Sequence, residues 1–162
     1  MKILITGGTG LVGSHIRKIV EGNKEKFEQY EFFFLSSKDC DLRKKGEVYK
    51  CFHDIRPNYV VHLAARVGGL YENLRNNVKM FSDNIKINEN ILEVCNFYNV
   101  ERGIFCLSSC IFPVNPSKFP MDETMIHESP PHFSNEGYAY AKRMLEVQCR
   151  NYNTEYNRNY IC

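Results

Sequence analysis

The architecture of this chain follows from its first thirteen residues, MKILITGGTGLVG, which run from Met1 to Gly13. Residues 2–6 are a short apolar run bounded by glycine, which is typical of a buried parallel strand. Gly7 and Gly10 then precede Gly13 at a constant spacing of three. At a strand-to-helix turn such glycines permit the tight bend, the approach of a pyrophosphate and close helix packing. Because the N-terminus of the following helix attracts phosphate, the motif predicts a dinucleotide site.

The rest of the chain alternates short apolar runs with segments of helical period. Strands are predicted at 30–35, 59–63, 103–107 and 159–162, and helices at 11–20, 44–55, 79–100 and 136–156. This alternation predicts an α/β fold, an NAD(P)-binding Rossmann-like doubly wound parallel sheet. We expect residues 1–162 to form one dinucleotide-binding domain with strand order 3-2-1-4-5 and right-handed crossovers.

Composition narrows the range of functions. The chain has 162 residues, 43% of them hydrophobic and 25% charged, as in an ordinary globular domain. A net charge of +2 without a basic run gives no reason to expect nucleic acid. No apolar stretch approaches the ~18 residues of a membrane span, so we expect no membrane partner. The seven cysteines are scattered without Cys-x-x-Cys, which predicts free thiols, a cytoplasmic location and no metal site.

Candidate cofactor contacts lie in the glycine turn and at the ends of the next two strands. An acid at the tip of the second strand would bind the ribose hydroxyls of NAD. Ser36, Ser37 and Lys38 stand there instead and favour the extra phosphate of NADP(H), although an ordinary polar turn is the simpler alternative. Small residues after the third strand would let a cofactor approach, although close helix packing explains them nearly as well. The candidates are Gly7, Thr9, Gly10, Leu11, Val12, Gly13, Ser36, Ser37, Lys38, Leu63, Ala64 and Ala65.

Candidate catalytic residues come from the fourth strand and the last helix. Tyr138 and Lys142 are four residues apart, on one face of the predicted helix. A nearby ammonium favours the phenolate, so we expect Lys142 to bring the pKa of Tyr138 towards neutrality. Ser108 or Ser109, at the end of the fourth strand, can hydrogen-bond a carbonyl that is being reduced. A lone Tyr-x-x-x-Lys arises by chance, but with the glycine turn and the serine it predicts carbonyl reduction.

Four longer motifs carry a closer resemblance. They are HLAARVGGL at 62–70, LSSCIFP at 107–113, DETMIH at 122–127 and GYAYAKR at 137–143. In these motifs the chain resembles the GDP-L-fucose synthase family of extended short-chain dehydrogenase/reductases. That family epimerises and reduces GDP-4-keto-6-deoxy-mannose with NADPH. The resemblance implies a GDP-sugar substrate and catalytic roles for Ser108, Cys110, Tyr138 and Lys142.

The resemblance also implies roles that the residues alone do not. Cys110, by itself more often a small buried hydrophobe, would exchange protons on the carbons beside the ketone. Asp41 and Leu42 would lie against the adenine, Tyr138 and Lys142 would also contact the cofactor, and Asn88 would hold neighbouring backbone. Helices 79–100 and 136–156 would pair two copies into a homodimer, with Tyr98, Met144 and Val147 on their second faces.

Length separates this chain from the family, whose members are about twice as long. We therefore expect an N-terminal half, without the C-terminal strands and the substrate domain, and inactive by itself. Two alternatives stay open. Another nucleotide-sugar epimerase or 4,6-dehydratase would share the cofactor half without needing Cys110, and a non-catalytic dinucleotide-binding module would need none of Ser108, Tyr138 and Lys142.

Overall fold

Five parallel strands form one sheet, and helices connect them along the whole chain; the computed structural model describes residues 1–162. The strands are β1 (Lys2–Thr6), β2 (Glu31–Leu35), β3 (Tyr59–His62), β4 (Arg102–Phe105) and β5 (Tyr160–Ile161). The α-helices are α1 (Leu11–Gly22), α2 (Lys24–Phe27), α3 (Lys45–Ile55), α4 (Leu70–Arg75), α5 (Asn77–Phe97) and α6 (Glu136–Tyr156). Short 3₁₀ turns occur at Ser109–Ile111, Glu123–Met125 and Phe133–Asn135.

The strand order is β2-β1-β3-β4-β5, and every neighbouring pair is parallel. The predicted parallel α/β sheet is confirmed, but the predicted order 3-2-1-4-5 is wrong. The third strand lies beside β1, where Thr6 is the register partner of His62. The physical reason is that residues 36–44 form turns after β2, and α3 then returns the chain past β1 to its free edge. The winding therefore reverses between β1 and β3, which is where doubly wound sheets bind ligands.

The main core joins one face of the sheet to α3, α5 and α6. Burial of these apolar side chains is the principal force that holds the three helices on the strands. The buried members are Leu4, Cys40, Val48, Phe52, Val60, Ile91, Leu92, Val94, Cys95, Val100, Phe105, Leu145, Cys149 and Tyr160.

Helix α5 also contributes two buried asparagines that hold neighbouring backbone. The Asn84 side chain accepts from the Arg66 N–H at 2.8 Å and donates to the Arg66 carbonyl at 2.9 Å. Asn88 donates to the carbonyl of Ala141 in α6 at 3.3 Å, which is the backbone-holding role that the resemblance implied. Both side chains are fully buried, so their hydrogen bonds offset the penalty of removing two amides from water.

Two segments that connect the main elements are more ordered than a flexible loop. The glycine pair Gly68-Gly69 predicts a flexible turn within residues 66–77, but Leu70–Arg75 is helix α4, preceded by Gly69. Asn73 donates to the carbonyls of Gly68 and Gly69 at 2.7 and 3.0 Å, which stabilises the start of that helix. The proline-rich segment lies between Cys110 and Tyr138, and its alternation of proline with apolar residues predicts a packed loop. It is packed in the structure, where it buries Met125 and Ile126.

None of the helices in the structure combines the length and apolar character that crossing a membrane requires.

Candidate active site

The glycine turn after β1 and the start of α1 have no room for a side chain at Gly7, Gly8 or Gly13. Gly7 has a φ of +69°, and a Cβ there would lie 2.9 Å from the backbone nitrogen of Ala64. A Cβ at Gly13 would lie 2.5 Å from the carbonyl oxygen of Gly7, so α1 packs directly on the turn. No side chain caps α1 and its first turn carries no acid, which leaves its N-terminal N–H groups available to an anion.

A cleft of about 640 Å³ opens at the carboxyl ends of β1, β2 and β3. It brings together nine of the predicted cofactor residues: Gly7, Thr9, Gly10, Ser36, Ser37, Asp41, Leu42, Ala64 and Ala65. Seven others do not line it: Leu11, Val12, Gly13, Lys38, Leu63, Tyr138 and Lys142. Gly13 is buried behind the glycine turn, and Lys38 is exposed outside the cleft wall. Tyr138 and Lys142 belong to a second group of residues, near the end of β4.

The turn after β2 is held by a carboxylate. Asp39 accepts hydrogen bonds from the hydroxyl and the N–H of Ser36 at 2.7 and 2.8 Å. These bonds from Ser36 lower the pKa of Asp39, so the carboxylate stays ionised and keeps the turn closed. The Asp39 carboxylate is therefore hydrogen-bonded within the turn. The exposed ammonium of Lys38 directly follows Ser36 and Ser37 in the chain.

Charged residues that the sequence analysis did not single out also line the cleft. Arg43 donates two hydrogen bonds to Asp41 at 2.9 and 2.8 Å, and these bonds lower the pKa of Asp41 to about 2. Asp83 of α5 lies 3.2 Å from Arg66 and 3.6 Å from Arg43. One feature of the sequence could have indicated these ion pairs. Asp83 is an acid on the inner face of a predicted helix, and a buried carboxylate needs a cationic partner.

The four predicted catalytic residues converge near the carboxyl end of β4. The Ser108 hydroxyl accepts from the N–H of Cys110 at 3.5 Å and lies beside the Tyr138 phenol. Lys142 is 2% exposed, and its Nζ is 6.0 Å from the centre of the Tyr138 ring. That ammonium donates to the carbonyl of Cys106 at 2.7 Å. The turn after β4 and helix α6 together therefore place a hydroxyl, a thiol, a phenol and an ammonium in one region.

The expected direction of the Tyr138 pKa is wrong. Burial raises the pKa of Tyr138, the neighbouring Cys110 adds to the rise, and Ser108 opposes it only in part. Burial also lowers the pKa of Lys142, whose ammonium is engaged by the Cys106 carbonyl. Desolvation is therefore the main influence on the pKa of Tyr138, and the Lys142 ammonium on which the prediction relied is not among the groups that shift it. A phenol with a raised pKa keeps its proton at neutral pH and can donate it to a carbonyl oxygen.

The two histidines of the proline-rich segment contact residues outside the predicted catalytic group. His127 lies 2.9 Å from Glu146 of α6, and the His132 ring contacts Ser134 at 2.8 Å. No group of three or more His, Cys, Asp or Glu side chains is arranged to hold a metal ion.

A glycine turn at the switch point of a parallel sheet, with a cleft across the strand ends, defines a Rossmann-like NAD(P)-binding fold. The sequence pattern of the NAD dependent epimerase/dehydratase family matches residues 3–162, and the chain belongs to that family.

Within the family the chain is similar to GDP-L-fucose synthases. It is 49% identical over 154 residues to the GDP-L-fucose synthase of Dictyostelium discoideum, covering 95% of this chain and 47% of the relative. It is 43% identical over 159 residues to a probable GDP-L-fucose synthase of Drosophila melanogaster, covering 98% and 49%. The crystal structure of a GDP-L-fucose synthetase from Naegleria fowleri bound to NADP superposes with a TM-score of 0.86 at 43% identity, covering 99% and 48%. The chain thus spans about half the length of the curated relatives it matches.

Proposed function

We propose that this chain is the dinucleotide-binding part of an enzyme that converts GDP-4-keto-6-deoxy-mannose to GDP-L-fucose with NADPH. The observation that carries the proposal is the convergence of Ser108, Cys110, Tyr138 and Lys142 near the end of β4. A carbonyl reductase needs the hydroxyl, phenol and ammonium, whereas the thiol suits proton exchange at carbon. The similarity to two GDP-L-fucose synthases supports the same reaction and a GDP-sugar as substrate.

The 640 Å³ cleft and the group of residues near the end of β4 would together hold NADP(H). The absence of Cβ atoms at Gly7 and Gly13 lets α1 and the β1 turn come together, so the open N-terminus of α1 can receive the diphosphate. Ser36, Ser37 and Lys38 would bind the phosphate on the adenosine ribose. The likeness to a Naegleria fowleri structure bound to NADP supports this choice. Asp41 and Leu42 would lie against the adenine, with Leu63, Ala64 and Ala65 along the backbone side of the cleft and Tyr138 and Lys142 near the nicotinamide ribose.

Bound NADPH would supply the hydride for the ketone carbon, and residues of this chain would transfer the protons. Tyr138, kept protonated by burial, donates its proton to the carbonyl oxygen, while Ser108 hydrogen-bonds the same oxygen. Lys142 stays close to Tyr138 and orients it together with the cofactor ribose. Cys110 serves a separate step, in which a proton is exchanged on a carbon flanking the ketone.

The two chemistries can be separated in protein of the full length of the relatives. Cys110→Ser should abolish solvent-deuterium incorporation at the carbons beside the ketone and leave NADPH binding intact. Tyr138→Phe should allow that incorporation but block NADPH oxidation. Each change should cost about 10²- to 10⁴-fold in its own step. If Cys110→Ser exchanges and turns over like wild type, a general nucleotide-sugar epimerase or dehydratase becomes the better assignment.

We also propose that the enzyme is a cytoplasmic homodimer that pairs through α5 and α6. Val78 and Phe81 of α5 are 84% and 41% exposed, and with Met144 of α6 they line a groove of about 570 Å³. An exposed apolar groove of this kind is typical of a surface that binds another protein. Tyr98, which was expected on this surface, instead packs against Phe52 beside the main core. Seven free cysteines support a reducing compartment.

A further inference from the structure

Helix α6 carries a buried cation directly after Lys142. Arg143 is 3% exposed and forms no ion pair in the structure. The ring of Tyr140 lies 5.5 Å from its guanidinium carbon, and burial lowers the pKa of Arg143. An arginine buried without a carboxylate is destabilising unless hydrogen bonds compensate for its lost hydration. The acceptors that provide this compensation therefore indicate what the residue holds in place.

The acceptors are two carbonyls near the two ends of the proline-rich segment. The Nε of Arg143 donates to the carbonyl of Ile111 at 2.7 Å, and its Nη2 donates to that of Ser129 at 2.8 Å. Ile111 is the last residue of the 3₁₀ turn that contains Cys110. Close to these bonds in sequence, the N–H of Val114 donates to the carbonyl of Pro130 at 3.1 Å. One guanidinium thus fastens both ends of the loop to α6.

The other bonds of the Cys110 turn run back towards β4 and not towards α6. The N–H of Cys110 donates to the Ser108 hydroxyl at 3.5 Å, and that of Ile111 donates to the Ser108 carbonyl at 3.2 Å. Tyr138 is on α6, five residues before Arg143. The hydrogen bond from Arg143 to Ile111 therefore ties the Cys110 turn directly to α6, and it adds to the contact between the Ser108 hydroxyl and the Tyr138 phenol.

We propose that Arg143 is a positioning residue that holds the Ser109–Ile111 turn against α6 and so sets where Cys110 stands relative to Tyr138. The use of Cys110 for proton exchange rests on the proposed function, whereas the clamping of the turn does not. Arginine suits the task because its planar fork presents donors in two fixed directions. A lysine at the same place has a single ammonium, and we expect it to reach one carbonyl at a time.

The test compares Arg143→Met and Arg143→Lys with wild type, using Arg150→Met as the matched control. Arg150 is on the same helix but is exposed and pairs with Glu146. Native-state hydrogen exchange is followed at the amides of Cys110, Ile111 and Val114. The alkylation rate of Cys110 by iodoacetamide is measured by peptide mass spectrometry, with the exposed Cys106 as internal reference.

We expect Arg143→Met to speed exchange at these three amides by about tenfold, because the turn opens locally more often. Cys110 should be alkylated faster by a similar factor relative to Cys106, and Arg143→Lys should fall between wild type and Arg143→Met. Arg150→Met should match wild type. If Arg143→Met does not fold, the comparison of Arg143→Lys with wild type tests the proposal by itself.

The proposal is overturned if Cys110 alkylation is unchanged or slower, or if exchange rises equally at the core amides of β1 and α5, which would indicate general destabilisation. Neither measurement needs enzyme activity. A protein with the clamp but without deuterium exchange beside the ketone would therefore refute the proposed function and leave this inference standing.

Discussion

The Nε2 atom of His62 lies 3.3 Å from the Oδ1 atom of Asn88, and this contact joins β3 to α5 in the fully buried interior. On its other side the His62 ring lies 2.8 Å from the hydroxyl of Thr6, which also accepts the N–H of Ala64. Because an amide oxygen only accepts, the contact with Asn88 places a proton on Nε2. Complete burial favours the neutral imidazole, in which Nδ1 accepts from the Thr6 hydroxyl.

The first prediction concerns the pH dependence of stability. Burial, helped by the charge of Lys142, lowers the pKa of His62 to about 3. In the unfolded chain the pKa of the His62 side chain is about 6.5. Below that pH the unfolded state therefore binds a proton that the folded state does not bind. The free energy of unfolding should thus fall as pH decreases from 6.5 towards 3, by up to about 1.4 kcal/mol per pH unit from this group.

Urea unfolding of His62→Gln at several pH values checks this. The variant should be less stable than wild type at pH 7, because the buried network is broken, yet its stability should fall less steeply with acid. His15→Gln, at an exposed site on α1, is the matched control. Parallel pH profiles for wild type and His62→Gln would contradict the prediction.

The second prediction concerns the packing of α1 on the glycine turn. Gly13→Ala should destabilise the fold by about 1–3 kcal/mol, because the new methyl group would meet the Gly7 carbonyl and the Gly8 backbone. Gly22→Ala is the control, since nothing lies within 4 Å of a Cβ there. Thermal unfolding should show a lower Tm for Gly13→Ala only. Equal Tm values for the two variants would show that the close packing is not strained by a methyl group.

The third prediction concerns the choice between NADPH and NADH. Lys38→Ala should weaken NADPH binding by about tenfold, since a charge-assisted hydrogen bond contributes about 1.5–3 kcal/mol. NADH binding should not change, because NADH lacks the phosphate that Lys38 would contact. Isothermal titration with both cofactors measures the two Kd values, and Lys24→Ala provides a distant control. A wild-type protein that binds NADH as tightly as NADPH would refute the assignment.

The fourth prediction concerns association through α5 and α6. Phe81→Lys should convert a dimer into a monomer, because a charge would be buried in an apolar interface without a partner. Ile19→Lys replaces a more exposed apolar residue, on α1, and should leave the dimer intact. Sedimentation at micromolar concentration distinguishes the two masses. A monomeric wild-type protein at that concentration would remove the basis for the proposal.

The element types followed from local patterns in the sequence. Strand β1 and helix α6 have the predicted bounds, because apolar period and glycine placement act within a segment. The glycine turn was also predictable from its spacing, and Gly13 meets the nearby backbone of Gly7 and Gly8, whereas Gly7 also makes room for the distant backbone of Ala64. Nine of the predicted cofactor residues line the cleft, because they follow the ends of strands, and parallel strands bring those ends to one edge of the sheet.

Only the tertiary structure decided which segments became neighbours. Periodicity within β3 does not say which side of β1 it will occupy, so the strand order was predicted wrongly. The cleft residues Arg43, Arg66 and Asp83 are ordinary charged residues until folding brings α5 to the strand ends. The direction of the Tyr138 pKa likewise depends on burial by distant parts of the chain. Sequence patterns therefore determined what each segment is, because those forces are short in range, whereas long-range packing determined what each segment touches.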